Sequence, residues 1–298
     1  MKKVIRVGTR ESDLALHQSR WMVNEIAKKH PELEFELVPI KTRGDIILDT
    51  RLDKIGGKGL FVKELENALI SGEVDIAVHS MKDMPAELPE ELVIAALSER
   101  EDPRDALVTA EGRRLEDLPE GAVLGTSSIR RELQALALRP DLKVKALRGN
   151  VLTRLRKLLE KEYDAVILAA AGLKRLGLMD KASQYFSAEE MVPAVGQGVL
   201  CIEARKDEDL QFLTDSVNCE DSQAAVKAER AFMIRLNGGC STPLGAHAVI
   251  DGDKIKMYGM MADESSKVFR AYTEGSRCEA SELGIRLADM ILKQMGKA

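Results

Sequence analysis

Short apolar runs alternate with longer amphipathic stretches over the first two thirds of the chain. The runs Val4–Gly8 and Val74–His79 are typical of buried strands, and Glu34–Ile40 alternates apolar and polar residues. Between these runs, residues 14–29 and 60–71 place apolar side chains at helical spacing. Strands that alternate with helices predict an α/β lobe in which ligands bind beyond the carboxyl ends of the strands.

A charged segment, Glu99–Asp105, interrupts this pattern and is predicted to be a linker, because it contains Pro103. A second set of strands follows, at 106–108, 123–125, 144–147 and 165–169. Pro193–Gly198 is a second hinge candidate and leads into a further strand, 199–204. The C-terminal part predicts three strands, 245–250, 254–262 and 267–273, between helices at 221–236 and 280–295, which is typical of a small α+β domain.

Composition narrows the classes of function. The chain has 298 residues, 45% hydrophobic and 31% charged, which allows two or three folded domains. Aromatic residues make up only 4%, which argues against a stacking surface for single-stranded nucleic acid. No apolar run is long enough to span a membrane. The N-terminal residues enter a strand without a signal-peptide core, so we expect a cytoplasmic protein.

The cysteines and the charges point to a local anionic ligand. Cys201, Cys219, Cys240 and Cys278 lie far apart without CxxC spacing, so thiols are expected and no metal site is predicted. The net charge is −5, yet the segment from Gly121 to Leu176 contains twelve Lys or Arg residues and five Asp or Glu residues. A basic segment inside an acidic protein favours an anion held locally over general nucleic-acid binding.

Several polar residues follow the predicted strands of the first lobe. Lys82 and Asp83 come directly after a buried run, where a carboxylate could stabilise a developing positive charge or move a proton. This stretch alone favours a plain surface ion pair at a turn. Arg10 occupies a strand-to-helix turn, where it could bind an anion or face Glu11 or solvent, and Ser12 or Asp13 can cap the following helix.

The second lobe repeats this arrangement with arginines. The hydroxyl residues Thr126 and Ser128 precede Arg130 and Arg131, which lie in a first helical turn where cations oppose the helix dipole. That placement favours a ligand anion as their partner. Three more arginines follow strand ends: Arg148, Arg154 and Arg175. Each alone is typical of a solvated surface, but their repetition predicts a cleft that binds carboxylates or phosphates.

Two loops carry further candidate chemistry. Gly56–Gly59 resembles a phosphate loop only loosely, because Gly59 rather than Ser or Thr follows Lys58, so a nucleotide site is rejected there. Cys240 follows two glycines and precedes Pro243 in a tight loop. Its thiol could be a covalent anchor, or it could be an unreactive packed cysteine.

Taken together, these stretches resemble the porphobilinogen deaminase (hydroxymethylbilane synthase) family over nearly the whole chain. The segments that carry the resemblance are 8–12 (GTRES), 54–61 (KIGGKGLF), 79–83 (HSMKD), 125–131 (GTSSIRR), 147–151 (LRGNV) and 238–240 (GGC). The resemblance implies a transferase of tetrapyrrole (haem, porphyrin) biosynthesis. Such an enzyme deaminates four porphobilinogen molecules, joins them head to tail on a dipyrromethane cofactor and releases hydroxymethylbilane by hydrolysis.

The resemblance also implies a role for each motif residue. Asp83 would be catalytic, and Cys240 would hold the dipyrromethane through a thioether. The cofactor would be bound by Lys82, Asp83, Thr126, Ser128, Arg130 and Arg131. The substrate would be bound by Arg10, Ser12, Lys54, Lys58, Arg148, Arg154 and Arg175. Arginine suits this task because its planar fork matches the acetate and propionate groups of the pyrrole rings.

The implied fold class is α/β, with two similar mixed-sheet lobes of the two-lobed anion-binding type and a small C-terminal α+β domain with a three-stranded antiparallel sheet. The first lobe would comprise residues 1–98 and 198–217, the second 103–192, and the cysteine-bearing domain 218–298. We expect a monomer whose partner is the small molecule porphobilinogen, with no nucleic acid, membrane or metal bound.

Two other classes of function compete with this interpretation. A non-catalytic two-lobed protein that binds dicarboxylates would explain the lobes and arginines, but not Cys240. An RNA-binding protein would use the basic segment, but the scarcity of aromatic residues disfavours it.

Overall fold

The computed structural model describes residues 3–46, 59–239 and 242–297. These residues form two α/β lobes and a third α+β unit. The predicted fold class is therefore confirmed. No helix within the described ranges is long and apolar enough to cross a membrane.

The first lobe is built on a five-stranded mixed sheet in the order β2-β1-β3-β10-β4. Its strands are β1 (Lys3–Arg10), β2 (Leu33–Ile40), β3 (Ile76–Ser80), β4 (Leu92–Leu97) and β10 (Leu200–Arg205). β1 is parallel to β2 and β3, whereas β10 runs antiparallel between β3 and β4. The parallel strands therefore bring the C-terminal ends of β1 and β3 to one edge of the sheet.

The part of the first lobe that the structure describes contains four helices: α1 (Asp13–Lys29), the short α2 (Arg43–Ile46), α3 (Lys63–Ile70) and α7 (Gln211–Val217). α1 contributes Met22 and Ile26 to a core that also contains Val7 and Ile202. Ser12 caps α1 by accepting a hydrogen bond from the backbone N–H of Ala15, as predicted.

The second lobe repeats the topology, with the strand order β7-β6-β8-β5-β9. The strands are β5 (Asp105–Thr109), β6 (Val123–Gly125), β7 (Lys143–Lys145), β8 (Ala165–Ala169) and β9 (Gln184–Tyr185), and the helices are α4 (Ile129–Leu138), α5 (Val151–Leu159) and α6 (Ala170–Arg175). β6 is parallel to β7 and β8, and β5 runs antiparallel beside β8. Each lobe thus has one antiparallel strand, β10 or β5, that receives the chain from the other lobe.

The third unit packs two helices, α8 (Glu220–Arg235) and α9 (Ala280–Gln294), on an antiparallel meander. Its strands are β11 (Leu244–Asp251), β12 (Lys254–Ala262) and β13 (Val268–Ser276). Phe232 from α8, Leu287 from α9 and Met257 from β12 are fully buried in its core. Such burial of large apolar side chains supplies about 1.5–3 kcal/mol each before entropy is counted.

The predicted elements agree with the structure within a few residues. Three differences stand out. The helix predicted to begin at Leu60 begins at Lys63, α7 was not predicted, and Asp105, which was included in the linker, is the first residue of the buried strand β5. The start of that strand was not predicted, because the charged run 99–105 is typical of a linker. From the sequence alone, a buried aspartate that pairs with two cations cannot be distinguished from an exposed aspartate in a linker.

Candidate active site

The candidate site lies where the parallel strands end. β1 ends at Arg10, and β3 ends one residue before a short 3-10 helix that contains Lys82 and Asp83. In the second lobe, β6 ends at Gly125, directly before Thr126 and the start of α4. This is the part of an α/β sheet where ligands usually bind.

Arg10 is held by partners from three sides. Its Nε lies 3.2 Å from Oδ2 of Asp45, and its Nη2 donates to Oδ1 of the same carboxylate. Its guanidinium carbon lies 4.3 Å from the centre of the Phe61 ring, a cation–π contact. Its remaining nitrogen, Nη1, lies 3.9 Å from Oδ2 of Asp83. Arg10 therefore connects Asp83 to α2.

Asp45 is ionised in this arrangement. Burial alone would raise the pKa of its carboxyl group, but hydrogen bonds from Arg10 and from Thr42 Oγ1, at 2.6 Å, outweigh burial and lower that pKa.

Lys82 lies at the junction of the lobes, and its ammonium group has a lowered pKa. Burial and the positive charge of Arg131 lower its pKa to about 8, while the carboxylates of Asp83 and Asp105 oppose that shift. Its Nζ lies 3.5 Å from the side-chain oxygen of Gln197. The charges of both lobes thus act on one ammonium group.

Arg130 and Arg131 share one buried carboxylate. Arg130 Nη1 donates to Asp105 Oδ2 at 2.7 Å, and Arg131 donates to Asp105 Oδ1 through Nε and Nη2 at 3.0 and 2.7 Å. Both arginines also donate to backbone carbonyls, of Val192 and Ile167 respectively. Burial raises the pKa of Asp105, but the two guanidinium groups outweigh it and hold that pKa far below its usual value.

This carboxylate changes the interpretation of the two arginines. The sequence favoured a ligand anion as their partner, whereas the structure supplies Asp105, which also accepts from Gln197 Nε2 at 3.0 Å. The one negative charge of Asp105 faces the two positive charges of Arg130 and Arg131. The three side chains therefore keep a net positive charge that an anionic ligand can balance.

Arg154 and Arg148 extend the positive region in the second lobe. Burial and the positive charges of Arg131 and Arg148 lower the pKa of Arg154 to about 10, and Asp83 opposes this. Arg154 Nε donates to the Gly149 carbonyl at 2.9 Å. Arg148 Nη2 lies 3.3 Å from the carbonyl oxygen of Gly44 in the first lobe, and burial and the charge of Arg10 lower its pKa.

The hydroxyl candidates form caps and turns. Ser128 caps α4 by accepting from the backbone N–H of Arg131, and Thr126 Oγ1 accepts from the backbone N–H of Ser128 at 3.1 Å. Ser12 likewise caps α1. These hydroxyl groups therefore fix the helix starts that carry the arginines and the turn that follows Arg10.

Arg175 stands apart from this group. Its Nη2 donates to the Gly198 carbonyl at 2.8 Å, at the second crossing between the lobes, and burial lowers its pKa to about 10 against the charge of Glu101. The contacts of Arg175 within the described part of the chain are with Gly198 and Glu101, not with Arg131 or Arg154. The rim predicted from five arginines is thus divided between the strand ends and the hinge.

Cys240, Lys54 and Lys58 lie outside the described residues. On either side of the undescribed residues 240 and 241, the backbone N–H of Gly239 donates to Thr242 Oγ1 at 3.0 Å. Farther along, Gly245, the second residue of β11, packs against the second lobe, since a Cβ there would lie 3.0 Å from Arg130 Cδ and 2.6 Å from the Pro193 carbonyl. The chain beyond Cys240 therefore reaches the Arg130 side chain within five residues.

A buried glutamate of α8 joins the third unit to the hinge segments. Glu229 accepts hydrogen bonds from the backbone N–H groups of Gly196 and Ala248, at 2.7 and 2.8 Å, and pairs with Arg100 at 2.9 Å. Neither Glu229 nor Asp105 nor Asp45 was singled out from the sequence, because nothing local distinguishes them from surface acids. Among residues 3–46, 59–239 and 242–297, no group of His, Cys, Asp and Glu could hold a metal ion.

Comparison with known proteins gives two family matches. Residues 5–212 match the family model "Porphobilinogen deaminase, dipyromethane cofactor binding domain", and residues 223–293 match "Porphobilinogen deaminase, C-terminal domain". A curated porphobilinogen deaminase of Alkaliphilus metalliredigens (strain QYMF) is 48% identical over 297 residues, which cover 99% of this chain and 94% of that protein.

Among solved structures, two binding proteins align with about three quarters of this chain. The methionine-binding protein MetQ aligns with a TM-score of 0.47 and 14% identity, over 74% of this chain and 92% of that chain. The BenM effector-binding domain, solved with its effector benzoate, aligns with a TM-score of 0.45 and 15% identity, over 72% and 90%.

Proposed function

The chain belongs to the porphobilinogen deaminase family, and on that premise we propose which of its side chains carry out the reaction. The protein is a transferase of tetrapyrrole biosynthesis: it deaminates and joins four porphobilinogen molecules on a dipyrromethane cofactor and releases hydroxymethylbilane. Family membership replaces the two alternatives considered from the sequence, a dicarboxylate-binding protein and an RNA-binding protein.

The charges of the site fit a dipyrromethane. Its rings carry carboxylates, and the pKa values of Lys82 and Arg154 are lowered partly by neighbouring cations, a cost that an anionic ligand would relieve. We assign its carboxylates to Lys82, Arg130 and Arg131, and its thioether anchor to Cys240. When bound, it supplies the free pyrrole carbon to which the first substrate is joined.

Asp83 is the proposed catalytic residue. Its side chain is 31% exposed, its carboxylate lies 3.9 Å from Arg10, and its charge acts on Lys82 and Arg154. That position, between cations of both lobes, is the observation that carries the proposal. Loss of ammonia leaves a positive charge on the substrate. Asp83 would accept a hydrogen bond from the pyrrole N–H and stabilise that charge.

A magnitude follows from Coulomb's law. A unit charge 4 Å from a carboxylate gains about 4 kcal/mol at an effective dielectric constant near 20. Since each 1.36 kcal/mol is a factor of ten in rate, Asp83→Asn should slow turnover on the order of 10³-fold. The variant should keep its fold and cofactor, because Asn preserves the shape of the side chain. Turnover within tenfold of the wild type would remove Asp83 from this role.

Substrate carboxylates are assigned to Arg10 and Arg154, on which the charge of Asp83 acts, and to Arg148, on which the charges of Arg10 and Asp45 act. Arg175, Ser12, Thr126, Ser128, Lys54 and Lys58 remain candidates that rest on the resemblance, the first four being engaged in hinge or cap contacts. Intact-mass measurement tests the anchor: the wild type should carry the extra mass of two linked pyrroles, and Cys240→Ser should lack it. An unmodified, active wild type would contradict the anchor.

We also propose that the protein acts as a cytoplasmic monomer and that its domains comprise residues 1–98 with 198–217, 103–192 and 218–298. The return of β10 to the first sheet supports the discontinuous first domain. Light scattering after size exclusion should give a mass near 32.8 kDa, and a doubled mass would contradict the monomer. Limited proteolysis should cut first near the proposed boundaries.

A further inference from the structure

We propose that Asp45 and the backbone carbonyl of Gly44 are internal placeholders, which occupy the guanidinium groups of Arg10 and Arg148 until carboxylates of porphobilinogen replace them. The proposal rests on the function proposed above, in which both arginines bind substrate carboxylates. In this proposal, Asp45 competes with the substrate for Arg10 and thereby sets the affinity for substrate.

The contact between Arg10 and Asp45 is the one that a substrate carboxylate would make. Two adjacent nitrogens of the guanidinium, Nε and Nη2, face the two oxygens of one carboxylate. This two-pronged geometry is the preferred way for arginine to bind acetate or propionate groups. Thr42 donates to the same carboxylate at 2.6 Å, so Asp45 is pre-oriented in the position of a ligand.

The rest of the Arg10 guanidinium offers little alternative space. The Phe61 ring covers one face, and the third nitrogen lies 3.9 Å from the negatively charged side of Asp83. A substrate carboxylate that approached this third nitrogen would be repelled by Asp83. Strong binding of a carboxylate at Arg10 therefore requires that Asp45 leave the Nε and Nη2 edge.

The same short helix also occupies an arginine of the other lobe. Arg148 Nη2 lies 3.3 Å from the Gly44 carbonyl, one residue before Asp45. Gly44 is tightly fitted, since a Cβ there would lie 2.2 Å from the Phe61 ring and its N–H donates to the Leu60 carbonyl at 2.9 Å. Displacement of Asp45 would therefore also disturb the contact between the Gly44 carbonyl and Arg148.

Asp45→Asn in the cofactor-loaded enzyme tests the proposal. The amide removes the negative charge that competes for Arg10, so the KM for porphobilinogen should fall about 3- to 10-fold, the range expected for loss of one partly exposed charged hydrogen-bond pair. The unfolding midpoint in urea should fall slightly, because a stabilising pair is lost. A supporting residue would give a different result: its loss would raise KM.

A matched control exists in the same sheet. Asp75 binds Arg6 in the same two-pronged manner, with nitrogen–oxygen distances of 3.2 and 2.7 Å, and its side chain is 24% exposed against 20% for Asp45. Asp75→Asn should lower the unfolding midpoint without lowering KM. A fall of KM in both variants would mean a general loosening of the lobe and would overturn the proposal.

Arg10→Lys separates this proposal from the function on which it rests. If Arg10 binds substrate, Arg10→Lys raises KM, and adding Asp45→Asn to that variant changes KM less than it does in the wild type. If Arg10→Lys raises KM but Asp45→Asn leaves KM unchanged or raises it, the placeholder is overturned and the substrate role of Arg10 stands. If Arg10→Lys leaves KM unchanged, the assigned substrate role of Arg10 fails and the placeholder fails with it.

Discussion

Replacing Asp105 by Asn should destabilise the protein severely. The side chain of Asp105 is fully buried and receives hydrogen bonds from Arg130, Arg131 and Gln197. Asn has nearly the same shape but no charge, so the variant would leave two guanidinium groups buried without a carboxylate. Their bonds to the carbonyls of Val192 and Ile167 would remain, but those oxygens carry only partial charges.

The expected loss is about 4 kcal/mol. Removing one partner of a buried ion pair typically costs about 3–5 kcal/mol, because the other charge is left uncompensated. A domain's total stability is only about 5–15 kcal/mol, so the variant should unfold at a much lower urea concentration. Breaking the pair also loosens the crossing between the lobes, since Gln197 belongs to the second hinge segment.

The effect should depend on pH in a defined direction. The pKa of Asp105 is lowered in the folded protein, so its contribution is complete above the unfolded value of about 3.9 and is lost as the pH falls toward the folded value. The difference in the free energy of unfolding between the wild type and Asp105→Asn should therefore be largest near neutral pH and should decrease below about pH 4.

Urea unfolding followed by circular dichroism measures this gap. Asp251→Asn is a suitable control, because Asp251 pairs with Lys256 at 2.9 Å while 65% of its side chain is exposed, and such pairs contribute at most about 1 kcal/mol. If Asp105→Asn unfolds within 1 kcal/mol of the wild type, the two arginines do not depend on this carboxylate and the reasoning is refuted.

Three further perturbations test other parts of the structure. Because Lys82 has a pKa of about 8, its protonated fraction and hence the affinity of the apoprotein for pyrophosphate should fall about fivefold between pH 8 and 9, and calorimetry should show no such fall in Lys82→Arg. Gly245→Ala should cost about 1–3 kcal/mol in urea unfolding, since its Cβ would meet carbonyl oxygens of the second lobe. Burial and Glu203 raise the pKa of Glu66, so Glu203→Gln should lower it in a carbon-13 NMR titration, and an unchanged value would contradict this.

The sequence predicted those parts of the site that depend on local order along the chain. The pattern of apolar runs placed Arg10, Lys82 and Asp83 each at the end of a strand, and the structure shows that these ends lie at one edge of the first sheet. The position of Arg130 and Arg131 in the first turn of a helix was also predicted, because hydroxyl residues typical of a helix start precede them.

The partners of those residues could not be predicted. Asp105 lies 25 residues before Arg130 and Asp45 lies 35 residues after Arg10, and such pairings arise only when strands from different parts of the chain assemble. The partner of Arg175 could not be predicted either. It follows a strand end like the other arginines, and its Nη2 donates to the hinge carbonyl of Gly198, a partner that no local pattern indicated.

The balance of charge limits how the growing chain can be held. The described candidates around Asp83 include six cations, Arg10, Lys82, Arg130, Arg131, Arg148 and Arg154, and the carboxylates that face them are Asp45, Asp83 and Asp105. The surplus of three positive charges is smaller than the charge of a dipyrromethane whose two rings each carry an acetate and a propionate. Each further ring adds two carboxylates, so later rings must take over cations from earlier ones, face solvent, or displace an internal carboxylate such as Asp45. Displacement of Asp45 would increase the surplus by one charge at Arg10, beside the proposed catalytic carboxylate and at the proposed site of the next substrate.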